Sequence, residues 1–193
     1  MRRVDPAGPA VLDLRALRLQ RRPGSMVTLE RTIPSPADLG VPLAQVPVGS
    51  DLVMDVRLES VLEGVLVTGV VDVEVRGECA RCLDPLEWEE TAEFRELFRY
   101  PATDHRGAVI EETEDEHGDP LPFIEDDCID LEPIIRDAIV PQLPLAPTCR
   151  ADCAGLCPSC GVRLEDHPGH RHEEVDPRWA ALEGLRIVEP PES

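Results

Sequence analysis

Between residues 51 and 100 the sequence alternates between apolar and polar positions in three long segments. Residues 51–59 are apolar at even positions and mostly charged at odd ones. Residues 65–75 place valines at odd positions, and residues 86–100 return apolar side chains to even positions. Turns are indicated at 63–64 and across 77–85. A period of two over segments of this length predicts an antiparallel meander with one face buried, forming either a curved sheet or a partly open barrel.

The flanking sequence predicts fewer regular elements. Residues 11–22 favour a short strand or an amphipathic turn, and residues 26–33 favour a strand. Four prolines between 34 and 47 predict a loop, as does the acidic stretch 101–119. Apolar residues recur at helical spacing across 130–140, with Asp130 as the N-cap and prolines at the end, so a helix packed across the open face of the sheet is expected.

These patterns together predict an α+β fold: a mainly antiparallel β meander or partly open barrel with one packed helix. Residues 149–175 are rich in cysteine, histidine and glycine and too poor in apolar residues for a core of their own, which adds a small zinc-knuckle tail at the C-terminus. We divide the chain into a basic N-terminal arm (1–25), an antiparallel β domain (26–148) and a zinc-binding tail (149–186). The β domain includes the acidic loop 101–119 and the helix 130–140. The tail is expected to end in a short helix that begins at Asp176, with Pro177 in its first turn.

Charge and hydropathy limit the function. The 193 residues contain no apolar run long enough for a membrane helix, and the N-terminus lacks the apolar segment of a secretory signal, so we expect a cytoplasmic protein without membrane contact. The net charge is −20, whereas residues 1–25 carry roughly +4. An acidic body repels phosphate backbones, which disfavours broad electrostatic binding to RNA and favours a partner with a basic surface.

The cysteines predict metal binding. Seven cysteines are present, and an odd number in a reducing compartment argues against a disulfide framework. Cys157 and Cys160 stand in the form C-P-S-C-G, in which two thiolates grip one ion and the glycine permits the tight turn. The second pair of ligands can come from His170 and His172, or from Cys149 and Cys153. This segment is too poor in apolar residues to fold without a bound metal ion.

A second C-x-x-C pair, Cys79 and Cys82, lies in the turn between two predicted strands. It can bind its own ion together with Cys149 and Cys153, or join the tail in one shared site. A redox dithiol is the alternative, but such pairs usually open a helix after a strand, and that context is missing here. Cys128 is predicted to be a small buried hydrophobe.

Nothing in the motifs indicates catalysis. The candidate ligands outnumber what one ion needs and lie in a compact, loop-rich tail, which favours a closed structural site over an open catalytic one. No phosphate-cradling glycine loop, nucleophile elbow or HExxH motif is present. We therefore predict a non-enzymatic protein with Zn²⁺ as its metal.

The ordered motifs resemble those of the YceD family, the large ribosomal RNA subunit accumulation proteins. The resemblance covers roughly residues 12–185. The motifs that carry it are RRPG at 21–24, GECARCLDP at 77–85, the helix ending in QLPLAP at 142–147, GLCPSCG at 155–161 and DPRWAAL at 176–182. In that family a C-x-C pair often follows the knuckle, and this chain has His170-Arg171-His172 there. The resemblance therefore implies one site made of Cys157, Cys160, His170 and His172.

The resemblance implies a role in accumulation of the large-subunit ribosomal RNA and in ribosome assembly, without enzymatic activity. The charge then suggests that the acidic body binds a ribosomal protein, a processing factor or a large-subunit assembly intermediate. The arginines at 15, 18, 21 and 22 (Arg15, Arg18, Arg21, Arg22) are candidates for contact with ribosomal RNA. The competing hypotheses are a cytoplasmic thiol redox sensor that uses Cys79 and Cys82, and an RNA-processing enzyme.

Overall fold

A computed structural model describes residues 5, 7–103, 109–110, 122–172 and 178. The elements, in chain order, are β1 (Val11–Asp13), β2 (Met26–Pro34), β3 (Gly40–Val41), β4 (Ala44–Gln45), β5 (Asp51–Ser60), β6 (Gly64–Glu78), β7 (Pro85–Arg99), β8 (Ala102–Thr103), β9 (Val109–Ile110), β10 (Cys128–Asp130) and α1 (Glu132–Ile139). A short 3-10 helix, Val140–Gln142, continues α1. Among these elements no helix is long and apolar enough to cross a bilayer.

The predicted meander is present as an open antiparallel sheet. Strand β5 pairs with β2 on one side and β6 on the other, and β6 pairs along its whole length with β7. In the described residues β2 and the short β3 lie along one edge and β7 forms the other, so the sheet does not close into a barrel. Even positions of β5, odd positions of β6 and even positions of β7 face the core, as the alternation predicted.

The predicted loop between β2 and β5 contains a small hairpin that the sequence pattern did not indicate. Strands β3 and β4 pair with each other, and β4 lies beside the end of β6 beyond the last residue that β5 reaches. Two-residue strands carry too little alternation to be recognised from sequence. Gly40 permits the close approach, since a Cβ there would lie 2.6 Å from the Ala44 carbonyl oxygen.

The core is aliphatic, with few aromatic rings. Strands β5 and β6 supply many of its fully buried members, for example Val56, Leu58 and Val67, and the segments around β1, β10 and α1 supply others. Phe94 lies over Gly69 of the neighbouring strand, where an added Cβ would be 2.4 Å from the ring. The missing side chain at Gly69 therefore makes room for one of the few large rings in the core.

Helix α1 packs against β7 and closes one side of the core. Ile135 and Ile139 are buried, as is Leu131 just before the helix. The Asp130 carboxylate accepts a hydrogen bond from the Glu132 N–H at 3.0 Å, and so satisfies one of the free N–H groups of the first turn. The N-cap residue itself is Leu131, one position after Asp130. The helix predicted for residues 130–140 is therefore confirmed, with bounds of 132–139.

The segment predicted as a basic arm packs on the sheet domain in its described part. Strand β1 pairs with β10, and Leu12, Leu14 and Leu19 are buried in the core. The leucines of 11–22 pack in or against the core, while the arginines between them face solvent. The predicted terminal helix at Asp176, with Pro177 in its first turn, lies outside the described residues, as does most of the acidic loop 101–119.

Candidate metal centre

The tip of the β6–β7 hairpin holds the first two candidate ligands, Cys79 and Cys82. The Cys79 N–H donates to the Asp84 carbonyl oxygen at 2.8 Å, and the Leu83 N–H donates to the Cys79 carbonyl oxygen at 2.9 Å. Leu83 adopts a left-handed conformation with φ 61°. This turn directs both sulfurs to the same side of the hairpin tip.

Residues 147–153 run along that side and supply two more cysteines. The Ala80 N–H donates to the Pro147 carbonyl oxygen at 2.7 Å, which fixes the start of the segment. The Arg81 guanidinium donates to the carbonyl oxygens of Ala151 at 3.2 Å and Cys153 at 3.0 Å. These contacts attach the tail to the sheet at the hairpin tip.

Four sulfurs meet there, from Cys79, Cys82, Cys149 and Cys153, which we name the first metal group. The Cys79 and Cys153 sulfurs are 3.9 Å apart, and those of Cys82 and Cys149 are 3.7 Å apart. With Zn–S bonds of about 2.3 Å, a tetrahedron has sulfur–sulfur edges of about 3.8 Å. Both separations fit one ion held by four thiolates.

The first metal group is buried and surrounded by hydrogen-bond donors. Three of its cysteines, at 79, 82 and 153, are at most 7% exposed, while Cys149 is exposed. The backbone N–H of Cys149 donates to the Cys79 sulfur, as does that of Cys82, and together they lower the pKa of Cys79 to about 6. The pKa of Cys82 is lowered by the Asp84 N–H, but burial and the neighbouring thiols outweigh this and raise it to about 12.

This division of pKa values has a simple physical cause. Four thiols crowded at one point cannot all ionise without a cation, because each thiolate raises the pKa of the next. One thiol therefore ionises readily and its neighbour resists. A divalent cation removes that conflict, since it neutralises two of the four charges, and guanidinium groups offset the remainder.

A second turn forms the knuckle predicted at residues 157–161. The Gly161 N–H donates to the Cys157 carbonyl oxygen, and the Cys157 N–H donates to the Val162 carbonyl oxygen, both at 2.8 Å. Gly161 has φ 71°, a conformation that glycine adopts without strain. Burial raises the pKa of Cys157, but hydrogen bonds from the N–H groups of Ser159 and Cys160 outweigh this effect and help to lower the pKa to about 6.

Both histidines of the H-R-H sequence reach this knuckle. The Cys160 sulfur lies 3.3 Å from His170 Nε2 and 3.2 Å from His172 Nε2, and the two Nε2 atoms are 2.8 Å apart. The four donors of Cys157, Cys160, His170 and His172 form the second metal group. Unlike the first, it lies at the surface, with Cys160 and His172 exposed.

The structure therefore selects among the pairings that the sequence left open. Cys149 and Cys153 lie with Cys79 and Cys82, and the two histidines lie with the knuckle. In each group the four donor atoms lie within 4.8 Å of one another. Across the described residues these are the two clusters suited to a metal ion, and neither contains a carboxylate. Cys128 joins neither group. It is 1% exposed, and burial raises its pKa, as expected of a buried thiol.

Sequence reasoning missed the ion pairs that connect the two groups. Arg163, which follows the knuckle, donates both guanidinium nitrogens to the carboxylate oxygens of Asp84 at the hairpin tip. This contact lowers the pKa of Asp84 to about 2. Arg150 pairs with Glu165 at 2.5 Å. The partners in the first pair are 79 residues apart, a separation at which spacing carries no signal.

The fold and site define a class of protein that has an open antiparallel sheet, a C-terminal tail, and two clusters of cysteine and histidine suited to metal ions. One cluster joins the tail to the sheet, and the other lies within the tail. A family model described as "Large ribosomal RNA subunit accumulation protein YceD" matches residues 67–186. The chain belongs to the YceD family, as the motifs indicated, and the family points to a role connected with ribosomal RNA.

The relatives extend the match toward the N-terminus. The uncharacterized protein Rv2926c of Mycobacterium tuberculosis is 48% identical over 91% of this chain and 81% of its own length. The uncharacterized protein ML1660 of Mycobacterium leprae is 39% identical over 96% of this chain and 81% of its own. The uncharacterized protein YlbN of Bacillus subtilis is 29% identical over 59% of this chain and 64% of its own. No solved structure matches the chain.

Proposed function

We propose that this protein is a non-enzymatic, zinc-binding factor that acts in the cytoplasm to promote accumulation of the large-subunit ribosomal RNA, and with it ribosome assembly. Membership of the YceD family carries the ribosomal part of the proposal. The eight ligands gathered into two groups carry the metal part. In the proposed mechanism the protein acts by binding a ribosomal protein, a processing factor or a large-subunit assembly intermediate.

Zinc is the metal that the donor atoms favour. Thiolate and imidazole ligands in sets of four, at tetrahedral spacing, are typical of structural zinc, whereas magnesium and calcium prefer oxygen. Four protein ligands leave no open position for a substrate or an activated water. The zinc ions would therefore stabilise the fold: one attaches the tail to the sheet, and the other shapes the knuckle.

The first metal group also has the charge environment that a tetrathiolate site needs. A divalent ion held by four thiolates carries a formal charge of −2. Arg81 donates to the carbonyl oxygen of Cys153, Arg150 interacts electrostatically with Cys149, and Arg163 does so with Cys82. Three guanidinium groups around a buried anionic centre offset its desolvation cost.

The charge on the outer face of the sheet favours a partner with a basic surface. The carboxylates that project from it are Glu30, Asp51, Asp55, Glu59, Asp72, Glu74, Glu78, Glu87, Glu89 and Glu93, against the arginines Arg57, Arg76, Arg95 and Arg99. Glu30 stands directly opposite Asp55, and Glu74 directly opposite Glu89. Like charges in opposing positions destabilise a sheet. A ribosomal protein rich in lysine and arginine would relieve this repulsion.

The arginines proposed for RNA contact differ in their availability. Arg15 pairs with Asp13, and the Arg21 guanidinium stacks 4.5 Å above the ring of Tyr100. Arg18 and Arg22 are exposed, and no described residue pairs with either. We therefore assign the ribosomal RNA contact mainly to Arg18 and Arg22.

The redox hypothesis for Cys79 and Cys82 has one favourable feature, the pKa of about 6 at Cys79. A redox sensor, however, also needs a thiol that oxidants can reach. Cys79 is 0% exposed and stands among three other sulfurs. An RNA-processing enzyme would need a carboxylate metal site, and neither described metal group supplies one.

Zinc quantification with native mass spectrometry tests the metal part. We expect two zinc ions in the wild type, and one in Cys157→Ser, which lacks a ligand of the second metal group alone. Cys128→Ser is the matched control, since it removes a buried thiol outside both groups, and it should keep both ions. A protein purified without zinc that takes up none on titration would refute the metal part.

Sedimentation of ribosomal particles tests the ribosomal part. Deletion of the gene should reduce 50S particles and mature large-subunit ribosomal RNA, and the wild-type gene should restore both. Arg18→Gln/Arg22→Gln should restore them incompletely, whereas Arg57→Gln/Arg95→Gln, which removes two exposed arginines from the sheet face, should restore them fully. Unchanged particle profiles on deletion, together with a pull-down that recovers no ribosomal component, would refute this part.

A further inference from the structure

The two metal groups are physically joined, although no ligand is shared between them. The segment between Cys153 and Cys157 passes directly over the hairpin tip. Gly155, with φ 77°, lies so close to Arg81 that an added Cβ would be 2.9 Å from its carbonyl oxygen. The Leu156 N–H donates to that same oxygen at 2.8 Å. The residue before Cys157 is thus anchored between the ligands Cys79 and Cys82.

Two ion pairs add a second connection through side chains. Asp84 lies two residues after Cys82, and its carboxylate receives the Arg163 guanidinium from the knuckle. Arg150 lies between Cys149 and Cys153, and it receives the carboxylate of Glu165, which lies between Cys160 and His170. In each pair, therefore, one residue lies in a segment that supplies cysteines to the first metal group, and the other lies in the segment that supplies the second metal group.

The position of the Asp84 carboxylate explains why such a connection has an energetic effect. Its Oδ2 atom lies 3.4 Å from the Cys82 sulfur. When the first metal group holds a divalent ion, the four thiolates retain a net negative charge, and a bare carboxylate beside them is repelled. The Arg163 guanidinium removes that repulsion. Loading of the first metal group therefore favours the arrangement in which the knuckle is held against the hairpin tip.

The same arrangement brings the knuckle into its own binding geometry. Leu156 and Arg163 form an antiparallel bridge that flanks Cys157, and the Leu164 N–H donates to the Gly155 carbonyl oxygen at 3.1 Å. Fixing Arg163 on Asp84 thus fixes the turn that presents Cys157 and Cys160. A coupling free energy between two sites is reciprocal, so an ion in the second metal group must also favour an ion in the first.

We propose that the two metal groups bind their zinc ions cooperatively. The ion pairs Asp84–Arg163 and Arg150–Glu165 position the knuckle and transmit this coupling between the two groups. The inference rests on the metal binding proposed above and adds to it a dependence of one group on the other. All four charged side chains are between 40% and 57% exposed. Because exposed ion pairs contribute modestly, two of them should change an affinity about three- to tenfold.

A double-mutant cycle tests the coupling in the full-length protein. Cys160→Ser disables the second metal group through an exposed residue outside the core. Arg163→Gln/Glu165→Gln breaks both ion pairs without changing the net charge. The measurement is the zinc affinity of the first metal group, by competition with a chelator. The visible spectrum of bound Co²⁺ confirms that this group keeps four sulfur ligands in every variant.

We expect Cys160→Ser to lower the first-group affinity about three- to tenfold in the wild-type background and to have no further effect once the ion pairs are removed. The matched control is Arg57→Gln/Glu59→Gln, an ion pair on the sheet at 2.7 Å, which should leave the affinity unchanged. The proposal is overturned if Cys160→Ser leaves the zinc affinity of the first metal group unchanged, or if it lowers that affinity equally in both backgrounds. It is also overturned if Arg57→Gln/Glu59→Gln lowers the affinity as much as Arg163→Gln/Glu165→Gln does.

These results also separate this inference from the proposed function. If the wild type takes up two zinc ions but the cycle shows no coupling, the cooperative link alone is refuted. If the wild type takes up no zinc at all, the metal proposal and the coupling fall together.

Discussion

The first metal group joins the hairpin tip to the tail across a long stretch of chain, and removing it should cost more stability than any other change at the metal centre. We consider Cys149→Ser/Cys153→Ser, which keeps the hairpin tip intact but leaves residues 149–153 with no sulfur to offer. Cys82 and Cys149 are 67 residues apart. A cross-link that closes a loop of this length raises the free energy of unfolding by about 4 kcal/mol at 25 °C, through lost entropy of the unfolded chain.

This magnitude can be measured by thermal unfolding. For a chain of this size, about 4 kcal/mol corresponds to a decrease in the melting temperature of roughly 8–16 °C. The assay is differential scanning calorimetry with zinc present in slight excess. Excess chelator should bring the wild type down to about the midpoint of the variant, and it should move the variant much less.

Cys160→Ser serves as the control for this experiment. It disables the second metal group, whose Cys160 and His170 are only 10 residues apart. Within residues 157–172 only Cys157 is buried, so opening this loop exposes almost none of the core, and the global midpoint should fall by a few degrees at most. Equal midpoints for wild type and Cys149→Ser/Cys153→Ser would refute the reasoning, as would a wild type that chelator does not affect.

Three further predictions concern the fold and the hairpin tip. Ile139→Ala should lower the free energy of unfolding by about 2–5 kcal/mol in chemical denaturation, because the side chain is fully buried, whereas Leu145→Ala, at 77% exposed, should change it by less than about 0.5 kcal/mol. Gly69→Ala should cost about 1–3 kcal/mol in the same assay, since the new Cβ would overlap an aromatic ring of β7, and an unchanged midpoint would contradict the proposed close approach. Arg163→Gln should raise the pKa of Asp84 from about 2 toward the usual range, as measured by NMR titration. Because the folded pKa of this carboxyl is lowered, its stabilising effect is present above about pH 4 and is lost as the pH falls toward 2, so the stability difference between wild type and variant should disappear over that interval.

Some of these features were predictable from the sequence because the physics behind them is local. A side chain on a strand faces the opposite side from its neighbour, so alternation over 51–60 and 64–78 defined which face of the sheet is buried. The same reasoning failed for β3 and β4, since a two-residue strand contains no full period. The knuckle at Cys157 was recognisable because its turn needs a glycine immediately after the second cysteine.

The pairing of ligands shows where local reasoning ends. Spacing allowed Cys149 and Cys153 to join the knuckle, and they lie closer in sequence to Cys157 than to Cys82. The family resemblance favoured His170 and His172 for the knuckle, but it left the partners of Cys79 and Cys82 undecided. The observed choice depends on the path of the chain after α1, which brings residues 147–153 back to the hairpin tip, where backbone N–H groups already point at the sulfurs.

The sequence by itself determined the half-buried meander and the packed helix through periodicity and capping, and it marked the eight candidate metal ligands through residue spacing within short windows. The resemblance of the ordered motifs indicated the YceD family. Only the tertiary structure decided that the N-terminal apolar residues complete the core, that the ligands divide into a buried group and a surface group, and that Asp84–Arg163 and Arg150–Glu165 connect the two. These features depend on contacts between distant segments. Such contacts are set by how the whole core packs, and a local pattern carries no record of them.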